Sequence, residues 1–79
     1  MKKYRPDTFS NFRFRELTEE FIQGDRNRAI LIRCYVDDKT ISELEDEFHL
    51  SNSQIKRIIK VGARKIFKMM EKDLPKYEL

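Results

Sequence analysis

The stretch from residue 40 to residue 60 constrains this chain most, because it carries two helix starts close together. Thr40 and Glu43 form a capping box, in which the threonine hydroxyl accepts from a free backbone amide and the glutamate reaches back to the cap. Ser51 and Gln54 form a second box of the same kind. A helix that begins near residue 40 must end before residue 51. The sequence therefore predicts a short helix, a tight turn and a second helix.

Apolar residues mark the inner faces of both helices. They are Leu44, Phe48 and Leu50 before the second start, and Ile55, Ile58 and Ile59 after it. Two short helices with facing apolar sides, joined by a tight turn, are typical of a helix-turn-helix, here at about residues 40–60. We expect Ile55 and Ile58 to pack against Leu44 and Phe48.

This stretch resembles the helix-turn-helix of the fourth region of bacterial sigma factors, and the likeness extends over about residues 25–70. The similar segments on either side are NRAIL at 27–31, YVDDK at 35–39, QIKR at 54–57 and ARKI at 63–66. Response-regulator output domains share much of this pattern. The resemblance implies an all-α fold, a small bundle of about four helices containing a helix-turn-helix with a long recognition helix.

Three residues depart from the sigma pattern. Glu45 stands where alanine is usual, and we expect it either to splay the helix pair or to bend its carboxylate into solvent. His49 stands where glycine is usual, and we expect it to adopt the left-handed conformation that histidine tolerates. Arg33 stands where leucine is frequent, which predicts that its helix is rotated or shifted by a residue.

The domain boundaries follow from local signals. We expect a flexible basic arm over residues 1–9, a single helical DNA-binding domain over 10–74 and a tail over 75–79. Within the domain, Ser10 is expected to cap a helix that reaches Gln23 and ends at Gly24, and Asp25 to cap the next helix, which reaches about Val36. The last helix is predicted over residues 52–72, stopped by the proline at 75.

Several side chains leave two interpretations open. Phe12 either folds back under the arm or is an exposed handle for a partner. Phe67 and Met70 either complete the core or form the seam of a homodimer. Gly62 either allows another helix to approach closely or merely weakens its own helix by about 1 kcal/mol.

Charge is segregated along the chain. The net charge is +6 over residues 51–72, −5 over residues 37–47 and +4 over residues 1–15. Such a distribution gives a directional electrostatic field, with the positive side facing any polyanion that binds. A polyanion is therefore expected to meet the last helix, and the acidic segment to face away from it.

Other classes of function are disfavoured. A chain of 79 residues has room for one small helical core and no deep substrate cleft. Its single cysteine, Cys34, allows neither an internal disulfide nor a cysteine-based zinc site, and its longest apolar run, residues 29–32, is far too short for a membrane span. There is no glycine-rich phosphate loop, and His49 is expected in a turn. The sequence predicts a cytoplasmic protein that is not an enzyme and needs no cofactor, metal or membrane.

At 100° per residue, the cations of the last helix gather opposite its apolar side. The motif positions expected to touch double-stranded DNA are Ser51, Asn52, Ser53, Lys56, Arg57 and Lys60, with Arg64 and Lys68 as phosphate contacts. Lys2, Lys3 and Arg5 of the arm are expected to add non-specific attraction. The implied function is sequence-specific DNA binding by a transcriptional regulator resembling an isolated sigma region 4, acting with RNA polymerase or a partner transcription subunit.

A second function remains open on the sequence. The same family of domains docks on RNA polymerase, and the acidic residues 37–47 together with Phe12 would provide a surface for a protein. In this alternative the chain is a protein-interaction module that docks on RNA polymerase or another transcription factor without needing DNA.

Overall fold

The computed structural model describes Arg5 and residues 9–72, and the regular elements in this part of the chain are all helices. They are α1 (Asn11–Phe21), α2 (Asp25–Tyr35), α3 (Ile41–Phe48) and α4 (Asn52–Lys72). The predicted class, an all-α bundle of about four helices, is confirmed. The longest helix, α4, packs against each of the other three, and α2 also contacts α1 and α3. Within this described part, no helix combines the length and the apolar character that crossing a membrane requires.

The start of α1 follows the sequence closely. The amide of Arg13 donates to Ser10 Oγ at 3.2 Å, so Ser10 is the cap that the sequence predicted. The rings of Phe9 and Phe14 lie 5.4 Å apart, as in a hydrophobic staple, which fixes the direction in which the chain enters the helix.

The junction between α1 and α2 differs from the prediction at both ends. α1 stops at Phe21, two residues before Gln23: the amide of Ile22 makes the last helical bond, to Thr18 O, and the backbone of Ile22 is already extended. Gly24, with φ 91°, is the residue that caps α2. Asp25 is therefore the first residue of α2 rather than its cap, and its carboxylate pairs with Arg28 at 2.9 Å.

The end of α2 is covered by Arg5. Its guanidinium donates to Tyr35 O at 2.9 Å and to Asp38 Oδ1 at 2.8 Å, and it lies over the rings of Phe9 and Tyr35. A cation at the C-terminus of a helix complements the free carbonyls there. Arg5 is thus bound to the folded domain, whereas the predicted arm residues Lys2 and Lys3 lie outside the described residues, as do the proline at 75 and the tail.

An aromatic cluster forms the core beside Arg5. The rings of Phe9, Phe14, Tyr35 and Phe67 lie within 5.2–6.3 Å of one another. Burial raises the pKa of the Tyr35 hydroxyl, and the nearby Arg5 opposes this change. Phe67 and Met70 are both buried, so they complete the core, the first of their two interpretations. Phe12, by contrast, is 74% exposed.

Gly62 lies where α4 meets α2. A Cβ atom at this position would overlap Leu31 Cδ1 and lie only 3.1 Å from Leu31 Cδ2. Leu31 is itself fully buried, so its side chain has to shift before a Cβ atom fits at residue 62. The glycine therefore allows close approach of α2 and α4, which was one of the two interpretations that the sequence left open for it.

Gly62→Ala is expected to lower the free energy of unfolding by about 1–3 kcal/mol, because overpacking outweighs the better helix propensity of alanine. Urea denaturation of the variant measures this loss. The matched control is the same change in a Leu31→Ala background, where the added methyl meets a cavity. There Gly62→Ala should cost less, and an equal cost in both backgrounds would contradict the contact.

The corner between α3 and α4 is built as the two capping boxes predict. Thr40 N donates to Glu43 Oε1 at 2.8 Å and Glu43 N to Thr40 Oγ1 at 3.1 Å, while the bond from the Thr40 amide lowers the pKa of Glu43. Ser51 N donates to Gln54 Oε1 at 2.9 Å and Gln54 N to Ser51 Oγ at 3.2 Å. His49 has φ 56° and ψ 45°, so its left-handed conformation is confirmed.

Inside this corner, Leu44 and Ile55 are completely buried. Phe48 and Ile58 are half-buried and pack against the same core. The core of the α3–α4 pair thus follows the expected apolar pattern, although Ile58 lies nearer the surface than expected.

His49→Gly is expected to leave the midpoint of thermal unfolding nearly unchanged. Relief of the left-handed strain and the added entropy of the unfolded chain are each on the order of 1 kcal/mol and oppose one another. His49→Ala is the matched control, since it keeps the strain and removes the imidazole. We expect the alanine variant to melt below the glycine variant; the reverse order would rule out strain at this residue.

Candidate nucleic-acid interface

The exposed side of α4 is a basic surface. Its buried side is formed by Ile55, Gly62, Ala63 and Ile66, which face the other helices. A helix with one side buried along its length must present the opposite side to solvent. All eight residues predicted to contact DNA are exposed, namely Ser51, Asn52, Ser53, Lys56, Arg57, Lys60, Arg64 and Lys68.

The cations among them form a row along one rigid element. Arg57, Lys60, Arg64 and Lys68 follow one another at intervals of three or four residues, which places them on neighbouring turns of the same face. With a rise of 1.5 Å per residue, this row is about 17 Å long. Lys56 lies beside the row, and Ser53 continues it to the start of the helix.

The start of α4 adds polar groups from both sides of the corner. Ser51 is committed to the capping box by its hydroxyl oxygen. Asn52 donates from Nδ2 to Glu45 Oε2 at 2.9 Å, across the turn. The two helices pack against each other, so Glu45 does not splay them. Glu45 is half-buried, and its carboxylate lies at the surface in an exposed hydrogen bond. Of the two expectations for Glu45, the splayed helix pair is wrong, and the carboxylate at the surface has the Asn52 amide as a partner.

A groove with an apolar floor borders this basic row. It has a volume of about 380 Å³ and lies between α4 and the junction of α1 with α2. Arg57 and Lys65 stand at its edge, and Val61 between them is 62% exposed. Lys65 donates from Nζ to Phe21 O at 3.2 Å, so this cation points towards α1.

Sequence reasoning did not identify this groove. The sequence signal that could have indicated it is the spacing of Arg57, Val61 and Lys65, four residues apart. This spacing puts a valine on the exposed side of the helix between two cations. The other wall depends on where α1 ends, which the sequence placed two residues too late. Arg57 therefore belongs to two surfaces, the basic row and the edge of the groove.

The acidic segment is largely engaged within the fold. Arg33 Nε pairs with Glu47 Oε2 at 2.7 Å and links α2 to α3, which accounts for an arginine where the sigma pattern favours leucine. Asp38 pairs with Arg5, Glu43 accepts from Thr40, and Glu45 accepts from Asn52. Four of the six carboxylates over residues 37–47 thus have partners, three of them in other parts of the chain.

The remaining chemistry of the described residues is sparse. No group of three or more His, Cys, Asp or Glu residues in this part of the chain is arranged to hold a metal ion. Cys34 is buried and is not part of a disulfide, and His49 is exposed in the corner before α4. The unpartnered buried atoms of described side chains are Thr18 Oγ1 and Asn27 Oδ1.

Comparison with protein-family models, with curated proteins and with solved structures finds no match for this chain. The interpretation of the basic face of α4 therefore rests on its geometry, its charge and the motif pattern of the sequence.

Proposed function

We propose that this protein is a sequence-specific binder of double-stranded DNA that regulates transcription, with α3 and α4 acting as a helix-turn-helix similar to an isolated sigma region 4. The observation that carries the proposal is the exposure of all eight predicted contact residues on α4 or at its start, opposite the buried side. Cations on one rigid face attract the phosphate backbone, and the release of counterions contributes to affinity.

The dimensions of α4 suit the major groove of DNA. The groove is about 12 Å wide, and a helix with its side chains is about 10–12 Å across. Arg57 and Lys60 have the length and donors to reach the O6 and N7 atoms of guanine, while Arg64 and Lys68, further along the helix, are suited to phosphates. Ser51 and Ser53 lie at the helix N-terminus, where hydroxyls and free amides favour phosphate.

In this proposal the protein performs no catalytic step and uses no cofactor. It acts in the cytoplasm with RNA polymerase or a partner transcription subunit. Binding to an operator as a repressor is the simplest mode that needs no partner.

A second candidate function is that of a protein-interaction module that docks on RNA polymerase or another transcription factor. It is favoured by the exposed Phe12 and by the apolar groove beside Val61. The acidic segment is less suited to this role than its net charge indicates, since four of its carboxylates already have partners. Binding to RNA polymerase by a protein with no affinity for DNA would favour this second function.

The first test compares Arg57→Ala with Lys68→Ala on a site selected from random duplex DNA and on scrambled DNA. Arg57→Ala should weaken binding to the selected site by about 1–3 kcal/mol and relax the preference at one base position. Lys68→Ala should weaken binding to all sequences alike and reduce the slope of log K against log salt by at most about one unit. Binding isotherms at several salt concentrations measure both effects.

Arg15→Ala is the matched control, since it removes one exposed cation from α1. Its effect should be smaller than that of Lys68→Ala on both DNAs. If all three variants lose the same small amount on both DNAs, the protein is a generic binder of polyanions. No DNA binding by the wild type, even at low salt, would overturn the proposed function.

A further inference from the structure

The hydrogen bond between Asn52 and Glu45 fixes which end of an exposed amide faces outwards. Asn52 is the first residue of α4, and its Nδ2 donates to Glu45 Oε2 at 2.9 Å. A carboxylate accepts hydrogen bonds and does not donate them, so only the NH₂ end of the amide can face Glu45. The Asn52 Oδ1 atom and the second N–H are left to meet a ligand.

This outward pair of groups matches one base edge in the major groove. Adenine presents an N6 amino donor beside an N7 acceptor, and an asparagine amide binds both at once through its oxygen and one N–H. An alanine at residue 45, as the sigma pattern favours, would leave the amide of Asn52 free to turn over. The carboxylate of Glu45 also weakens the attraction of the helix N-terminus for phosphate, so it reduces general affinity for DNA where it improves discrimination.

We propose that Glu45 is a positioning residue that orients the amide of Asn52 to read one adenine in the major groove. The inference rests on the proposed DNA-binding function and adds a base preference to it. Asn52 makes the contact with the base, and Glu45 acts only through Asn52. For Glu45→Ala, we therefore expect lower discrimination at one base position and no loss of affinity for unrelated DNA.

The experiment measures binding to the selected site and to a set of sites in which each base pair is replaced in turn. For the wild type, replacement of one A·T pair should weaken binding by about 5- to 150-fold. Placing 7-deazaadenine at that position, which removes the N7 acceptor, should also weaken wild-type binding. Asn52→Ala should abolish both effects at that position and leave the preference at the other positions.

Glu45→Ala should reduce discrimination at the same A·T position, and its affinity for scrambled DNA should not fall. The double variant should discriminate no worse than Asn52→Ala alone, because one interaction is removed by either change. Glu45→Gln retains a side-chain oxygen that can accept the bond, so it should keep more of the discrimination than alanine does. Circular dichroism and thermal melts establish that each variant is folded.

Two results would overturn the inference alone: full discrimination at every A·T position in Asn52→Ala, or an equal loss of affinity for all sequences in Glu45→Ala. Asn52 is exposed, so we expect Asn52→Ala to fold, and this variant tests the inference even if Glu45→Ala does not fold. A wild-type protein that binds no DNA would overturn the proposed function together with this inference.

Discussion

The contact between Gly62 of α4 and Leu31 of α2 is the constraint on which the rest of the structure depends. Only a residue without a Cβ atom lets these two helices approach so closely. The same side of α4 buries Ile55 against the α3 side of the bundle and Ile66 further along the helix. Because one side of α4 is buried along most of its length, the cations of this helix lie on the sides that remain exposed. The position of the basic face is therefore a consequence of packing, and it does not depend on ion pairs within the helix.

Local signals in the sequence predicted the parts of the fold that depend on neighbouring residues. The caps at Ser10, Thr40 and Ser51 each involve groups three residues apart. The left-handed conformation of His49 was expected from the resemblance, because His49 stands where the sigma pattern has glycine. The predicted cap of α2 was wrong, because Gly24, with positive φ, takes the cap position that Asp25 was expected to occupy. The bonds from Asn52 to Glu45 and from Arg33 to Glu47 join different helices. Residue spacing does not predict which of several nearby carboxylates accepts a hydrogen bond from a donor on another helix. The groove beside Val61 could not be predicted either, because it depends on the relative positions of three helices.

The basic and the acidic segments of the chain differ in how far their side chains are bonded within the fold. The cations of α4 lie on the exposed face of one helix, whereas many acidic groups of residues 37–47 bind other parts of the chain. Arg5 pairs with Asp38, just beyond the end of α2, and Arg33 of α2 pairs with Glu47 of α3. The acidic segment thus contributes to the fold, and the basic segment remains available for a ligand. This difference favours DNA binding over a protein-interaction module built on the acidic residues, although the groove at the edge of the basic row still offers a surface of another kind.

The central claim is that the exposed face of α4 is the surface that meets DNA. Titration of ¹⁵N-labelled protein with the selected duplex, followed by amide chemical shifts, tests this claim over the whole chain at once. The account predicts that the largest changes map to residues 51–57 and to the exposed positions 60, 64 and 68, with α1 little affected, and that added salt reverses them. Changes centred on Phe12 and on the α1 wall of the groove, Phe21 and Ile22, or no changes at low salt, would contradict it.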